Sequence, residues 1–350
     1  MMKTRFTAML LAAIILANIV VLSGCNREPQ VSTPTGTTTQ PTETTIQTTP
    51  TETTVPETTV PETTAPPETT VPPTTVPPTT APPETTAPPA TNPPSNGGEM
   101  IGSLYTRGEL EAMDKTYNSG GYGAGNTSNG VRPGGPVSDQ DKYSQYGGNF
   151  VGADEKKIYL TFDCGYEYTA TDDNGQQYRV TERILDVLKE KNVKAVFFVT
   201  MYYCKMNPDL VQRMIDEGHA VGNHTNNHPV MPAQTIDKMV YEVTSLETYV
   251  KENFGGYQMT LFRPPTGAFS VQSLSVLKTL GYKTVLWSFQ YYDYDTTQQM
   301  DHDQALQRVV NSHHNGAIYL LHAVSTTNAA ILGDAIDQFR SLGYELDLFQ

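Results

Sequence analysis

From Lys156 onward, short apolar runs alternate with longer stretches whose apolar residues recur every three or four positions. The runs "KIYLTF", "KAVFFVT", "HAVGNH", "MTLFR", "YKTVLWSF" and "AIYLLH" read as strands. Between them, "RVTERILDVLKEKN", "NPDLVQRMIDEG", a segment near 235–253, "SVQSLSVLKTLG" and "DQALQRVVNSHHN" read as amphipathic helices, and a last helix and strand follow. Ile184, Leu185 and Leu188 share one helical face. Asn207 is placed to cap a helix, Pro208 to begin it and Gly218 to stop it. Gly218, Gly281 and Gly343 each separate a helix from a strand, where a left-handed residue ends a helix without a Cβ penalty. Such alternation predicts an α/β fold with a parallel sheet, open or closed into a barrel, and about 200 residues suffice for one substantial core. Residues 100–150 are rich in Gly, Asn, Tyr and Ser, and read as an irregular lead-in wrapping the domain.

The first hundred residues carry no such alternation. Lys3 and Arg5 precede an apolar stretch from Ala8 to Leu22, broken only by Asn18. That is the length of a secretory signal core rather than a comfortable membrane span. It ends in "LSGC", which resembles the lipobox of bacterial lipoproteins; residues 1–24 would then be the signal peptide and Cys25 the lipidated N-terminus. An ordinary signal peptide or an uncleaved anchor is the other reading, and each exports the chain. Residues 25–99 are dominated by Thr, Pro and Glu in a drifting repeat, with no Lys or Arg between 31 and 100. Little there can be buried and proline removes backbone donors, so a disordered stalk is expected, reaching about 200 Å if extended as polyproline II. The expected location is the outer face of the cell membrane, lipid-anchored and reaching into the wall.

Composition adds little beyond this. The chain has 37 acidic and 23 basic residues, much of the acidic excess lying in the stalk, and no basic stripe with interleaved aromatics suited to nucleic acid. With Cys25 assigned to lipid, only Cys164 and Cys204 remain, so disulfides do not build this domain.

The chemistry lies where strands stop. In parallel α/β folds the loops after the strands' carboxyl ends converge on the ligand. Here those ends carry Asp163-Cys164, then His224 and His228, Arg263, Asp293, and His322. Each also has a plain reading. A lone histidine is more often a hydrogen-bonded residue than a ligand, although His224 and His228, four apart in a tight turn, can face one side and hold a divalent metal. Arg263 can pair with any carboxylate, and Asp293 can cap a helix. His313 and His314 read as exposed residues favoured by a helix C-terminus. Trp287 reads as core, while Tyr291, Tyr292 and Tyr294 suit either core or a sugar platform.

Taken in order, "TFDCG", "HTNNH", "RPPTG", "WSFQYYDY" and "IYLLH" resemble the five motifs of the polysaccharide deacetylases, the NodB-homology domains of carbohydrate esterase family 4. The likeness spans roughly residues 150–350, and "LTFDCGYE", "GNHTNNHP", "LFRPPTGAFS" and "GAIYLLHAVSTTNA" most resemble the branch called delta-lactam-biosynthetic, or muramic, de-N-acetylases. The resemblance implies a distorted seven-stranded (β/α) barrel at 151–350, a divalent metal of the zinc type, and removal of acetyl groups from cell-wall glycan, N-acetylmuramic acid above all. It implies Asp163 as general base aimed by Arg263, His224 and His228 as metal ligands, the backbone N–H of Thr266 toward the oxyanion, and His322 as acid with Asp293 raising its pKa.

The chain departs from that pattern at three positions. Cys164 stands where a second, metal-binding Asp is usual, Thr266 where an aromatic residue is common, and Tyr294 where Trp is usual. Cys164 admits three readings: a thiolate completing a His₂Cys site, a bystander, or a disulfide partner of Cys204. The implied partners are peptidoglycan or another acetylated glycan, and the bilayer through acylated Cys25, with the domain acting as a monomer. An inactive glycan-binding lipoprotein and an enzyme acting on another N- or O-acetylated polysaccharide are the competing readings.

Overall fold

The computed structural model of the chain describes residues 98–120 and 129–350. The signal segment, Cys25 and the stalk through residue 97 lie outside the described residues.

Eight parallel strands make the main sheet: β1 Gly148–Asn149, β2 Lys157–Cys164, β3 Val196–Val199, β4 Ala220–Asn223, β5 Leu261–Phe262, β6 Lys283–Val285, β7 Ala317–His322 and β8 Glu345–Leu346. Seven of them follow the path β7-β2-β3-β4-β5-β6-β1, and β8 pairs beside the start of β2. Beyond β6 the chain turns back onto β7: Ser288 N–H donates to the Ile318 carbonyl at 3.0 Å, and Leu320 N–H to that of Phe289 at 2.9 Å. This bridge closes the ring. The fold is the distorted seven-stranded (β/α) barrel, with a two-residue β5 among its staves.

Side-chain alternation explains the layering. Ile158, Leu160, Phe162 and Cys164 of β2 join Ile184, Leu185 and Leu188 of the helix Val180–Glu190 in the larger core cluster, where strands meet helices. Val196 and Phe198 of β3, Val285 of β6, and Ile318 and Leu320 of β7 form the second cluster with Phe150 and Trp287. Burying each such side chain is worth about 1.5–3 kcal/mol against the exposed chain. Trp287 is core, as expected, but its ring also lines the cavity described below.

Helix ends follow the sequence in most places. Pro208 begins Pro208–Asp216, and Gly218, Gly281 and Gly343 take φ of 79°, 90° and 84°. Asn207 holds the expected cap position, but its side chain bonds backward: Nδ2 donates to the Tyr203 carbonyl, at 3.4 Å, in the last turn of the preceding helix Met201–Met206. His314 differs too. It is wholly buried, with Nδ1 against the Ser312 carbonyl at 2.9 Å and Nε2 against Ser288 Oγ at 2.8 Å. That same hydroxyl accepts from Ile318 N–H, so His314 pins the barrel-closing bridge, and burial lowers its pKa to about 4. It belongs to the interior, not to a solvated helix end.

The lead-in is less irregular than its composition suggests. It holds a helix, Gly134–Tyr143, and contributes β1 to the sheet. Its Asn118–Ser119 pairs antiparallel with Ala268–Phe269, and Gly120 N–H donates to the Gly267 carbonyl at 2.9 Å. The wrapping segment therefore braces the loop after β5.

Candidate active site

Asp163, at the end of β2, is 8% exposed and faces a cavity of about 900 Å³ at the carboxyl ends of the strands. His224, His228, Thr266 and His322 line the same cavity. Trp287, Tyr294, Tyr166 and Tyr202 form aromatic parts of its wall.

Arg263 orients Asp163 from below. Its guanidinium is wholly buried over the Phe198 ring; Nη1 donates to Asp163 Oδ1 at 2.9 Å, Nε to the Val285 carbonyl at 3.0 Å and Nη2 to the Leu286 carbonyl at 3.2 Å. Every arm of the planar fork is spoken for, which lysine could not match. Burial pushes the Asp163 carboxyl up, but the charge and hydrogen bond of Arg263, with smaller contributions from the neighbouring histidines, outweigh it and hold it below the usual carboxylate range.

The two histidines of the "HTNNH" turn differ in setting. His224 is 3% exposed and donates from Nδ1 to the Arg263 carbonyl at 2.8 Å. That bond leaves Nε2 as the lone-pair nitrogen, 3.6 Å from Asp163 Oδ2. Burial lowers the His224 pKa to about 4, so the ring is neutral near pH 7. His228 stands nearer solvent, its ring centroid 4.9 Å from that of His224, and its pKa is lowered chiefly by desolvation. Two neutral imidazoles beside a carboxylate suit a divalent metal, with the tautomer of His224 set by a carbonyl behind it.

The turn itself is strained. Thr225 and His228 take left-handed φ of 72° and 56°, uncommon for residues with a Cβ. It is stapled to the helix Ile236–Asn253. Asn223 Nδ2 donates to the Val243 carbonyl, and Asn227 donates twice to the Glu242 carboxylate. Sequence reading missed Glu242, although a carboxylate in the apolar stripe of Met239, Val243 and Leu246 was a signal.

Across the cavity, Asp293 is 1% exposed and grips His322 twice, accepting from Nδ1 at 2.7 Å and from the backbone N–H at 2.8 Å. Asn328 Nδ2 donates at 2.6 Å to Asp293 Oδ2, the oxygen that also takes the His322 N–H, and Tyr291 O–H bonds to Asn328 Oδ1. Asn328 was also missed as part of the site, and Tyr291, read as core or sugar platform, is core and backs Asn328 from behind. Burial alone would lower the His322 pKa; the Asp293 charge and hydrogen bond, with help from Asp163, reverse this and raise it. Asp293 is thus an orienting carboxylate rather than a helix cap. The Tyr294 ring lies edge-on to His322, centroids 5.4 Å apart, and half of it is exposed.

Thr266 has φ 61° and its N–H makes no backbone hydrogen bond among the described residues. The next residue must be glycine: at φ 69°, a Cβ on Gly267 would meet the Trp287 ring at 2.4 Å.

Cys164 does not join the histidine couple. Alternation turns it away from Asp163, into the layer with Phe162, Tyr203 and Cys204, and it is absent from the cavity wall. Burial, then Glu167, Asp163 and Cys204, push its thiol well above the ordinary range. Cys164 and Cys204 are both free, which corrects the disulfide reading as well. Among the described residues no group of three His, Cys, Asp or Glu makes a metal cage. Of the three readings, the bystander fits.

The polysaccharide deacetylase family profile matches residues 151–285. A peptidoglycan-N-acetylmuramic acid deacetylase, PdaA of Bacillus subtilis, is 42% identical over 190 residues, 54% of this chain and 68% of that protein. An uncharacterized 30.6 kDa protein from the fumA 3′ region of Geobacillus stearothermophilus is 42% identical over 202 residues, 57% of this chain and 72% of its own length. The solved structure of Bacillus subtilis PdaA, a family 4 carbohydrate esterase, superposes with a TM-score of 0.60 at 36% identity, covering 67% of this chain and 95% of the other. With the barrel, the strand-end groups and these relatives in agreement, the chain belongs to the polysaccharide deacetylases, hydrolases of the family 4 carbohydrate esterases.

Proposed function

We propose that the domain hydrolyses N-acetyl groups from peptidoglycan, with N-acetylmuramic acid as the favoured sugar, in a delta-lactam-forming pathway. The single observation that carries the reading is an ionised Asp163 sharing one cavity with the Asp293-backed His322. The relative named as a muramic acid deacetylase supports the choice of sugar. The aromatic faces of Trp287, Tyr294 and Tyr166 suit the apolar faces of sugar rings.

Amide hydrolysis needs a deprotonated water, a stabilised oxyanion and a proton for the departing nitrogen. Asp163, ionised and aimed by Arg263, accepts the proton of the attacking water. The Thr266 N–H is free to donate to the developing oxyanion. His322, its pKa raised by Asp293, delivers its proton to the leaving amine from the opposite wall. His224 and His228 would hold a divalent ion, zinc in our reading, which when bound supplies Lewis acidity to the acetyl carbonyl and to water. Lipid anchoring through Cys25, a Thr/Pro stalk and action as a monomer outside the membrane complete the proposal, supported by the "LSGC" stretch and the composition of residues 25–99.

The test is acetate release by the purified chain with zinc, from amidase-stripped muramic glycan and from N-acetylglucosamine oligomers. Release from the first substrate is expected. Release only from the second moves the sugar assignment, and release from neither overturns the proposal.

A further inference from the structure

Glu242 takes no part in the chemistry above, yet its side chain is wholly buried. Its Oε2 accepts from Asn227 N–H at 2.7 Å; its Oε1 accepts from Asn227 Nδ2 at 2.9 Å and from Lys238 Nζ at 2.9 Å. Its backbone carbonyl accepts from Asn226 N–H at 3.0 Å. Asn226 and Asn227 are two of the three residues between His224 and His228. They are flanked by the left-handed Thr225 and His228, conformations that persist only where surroundings over-determine them. A Lys–Glu pair one helical turn apart has no need of burial, since it forms equally well in solvent. What draws this carboxylate inward is the turn.

We propose that Glu242 is a positioning residue for the His224–His228 couple, holding the strained turn so that both imidazoles face the cavity and thereby setting the affinity for a divalent metal. This rests on the reading that the couple holds a metal. His224 has a second tether through the Arg263 carbonyl, whereas the hydrogen bonds found near His228 come from its own turn, Thr225 Oγ1 accepting its N–H at 2.9 Å. Loosening the turn therefore acts mostly on His228. Outer partners of this kind alter metal affinity by about 10–100-fold when removed.

The experiment measures zinc dissociation constants by competition with a chromogenic chelator, on metal-free wild type, Glu242→Gln and His224→Ala. Circular dichroism and melting of the metal-free proteins are followed alongside. Glutamine keeps the shape but cannot accept from both Asn227 donors and the Lys238 ammonium. We expect tight binding by wild type, loss in His224→Ala, and about 10–100-fold weaker binding by folded Glu242→Gln. A Glu242→Gln protein that melts earlier but binds zinc as wild type does has lost only a structural contact, and the proposal is overturned. If wild type takes no zinc, or His224→Ala binds equally well, the metal reading itself fails and carries this proposal down with it. Should Glu242→Gln not fold, Glu242→Ala and Glu242→Asp take its place, both removing the carboxylate from Asn227 N–H and Nδ2; weaker zinc binding by whichever folds supports the role of Glu242 and an unchanged constant sinks it.

Discussion

Arg263 and Asp163 are 100 residues apart in sequence, yet Arg263 Nη1 meets Asp163 Oδ1 at 2.9 Å while the rest of the guanidinium is bonded to the carbonyls of Val285 and Leu286. The arginine is held by β6 before it holds the aspartate on β2. Removing it leaves a buried carboxylate without its principal counter-charge. Arg263→Ala should destabilise the domain by about 3–5 kcal/mol, read in urea unfolding. In surviving folded protein the acid limb of the rate profile should move upward, because the charge that depresses the Asp163 pKa is gone.

Asp163→Asn keeps the shape of the side chain and removes its basicity. Turnover should fall by about 10²–10⁴-fold, with glycan binding retained in a pull-down on insoluble peptidoglycan. Wild-type turnover by the asparagine variant ends its assignment as the base.

Asp293→Asn tests the other wall. Since the carboxylate raises the His322 pKa, the acid form of His322 persists to higher pH in the wild type. Activity requiring that form is present below the raised pKa and lost as pH climbs through it. The variant should show a lower rate and an alkaline limb shifted to lower pH. An unchanged alkaline limb would show that another group supplies the proton.

Cys164→Ala should leave metal content and acetate release unchanged, at a cost of about 1 kcal/mol for a small buried cavity. Metal loss in this variant, measured by elemental analysis, would restore the thiolate reading that burial argues against.

Chelation should abolish activity and zinc should restore it. Both imidazoles must be neutral to bind: burial lowers the His224 pKa to about 4 and desolvation lowers that of the more exposed His228. Metal affinity should hold near neutral pH and fall in acid as the two rings protonate, since protonated imidazole has no lone pair to give. Titration of zinc release against pH checks this.

Much of the site was legible because its residues end strands, and the strands announce themselves by apolar runs between amphipathic helices. Asp163, His224, Arg263 and His322 were found this way. What stayed hidden were groups whose role depends on contacts between distant segments. Asn328 lies six residues beyond His322 on a helix and is indistinguishable from an ordinary polar residue until it meets Asp293. His314 sits at a helix end, where exposure is the safer expectation, and only the ring closure through Ser288 buries it. Cys164 misleads in the opposite sense: adjacency to Asp163 suggests shared work, whereas neighbouring residues of a strand face opposite sides. The lead-in conceals β1 because "GGN" carries no apolar pattern.

That unpromising strand bears on how the enzyme can be cut. A chain shortened to begin at Val151 would keep every catalytic side chain. It would also strip Gly148–Asn149 from the flank of β6 and take away the Asn118–Ser119 ribbon against which Ala268–Phe269 leans. The bared margin of the sheet would invite association with other molecules, and the loop of Thr266 would lose its outer support. The smallest competent enzyme therefore starts well upstream of the segment that the family likeness marks out.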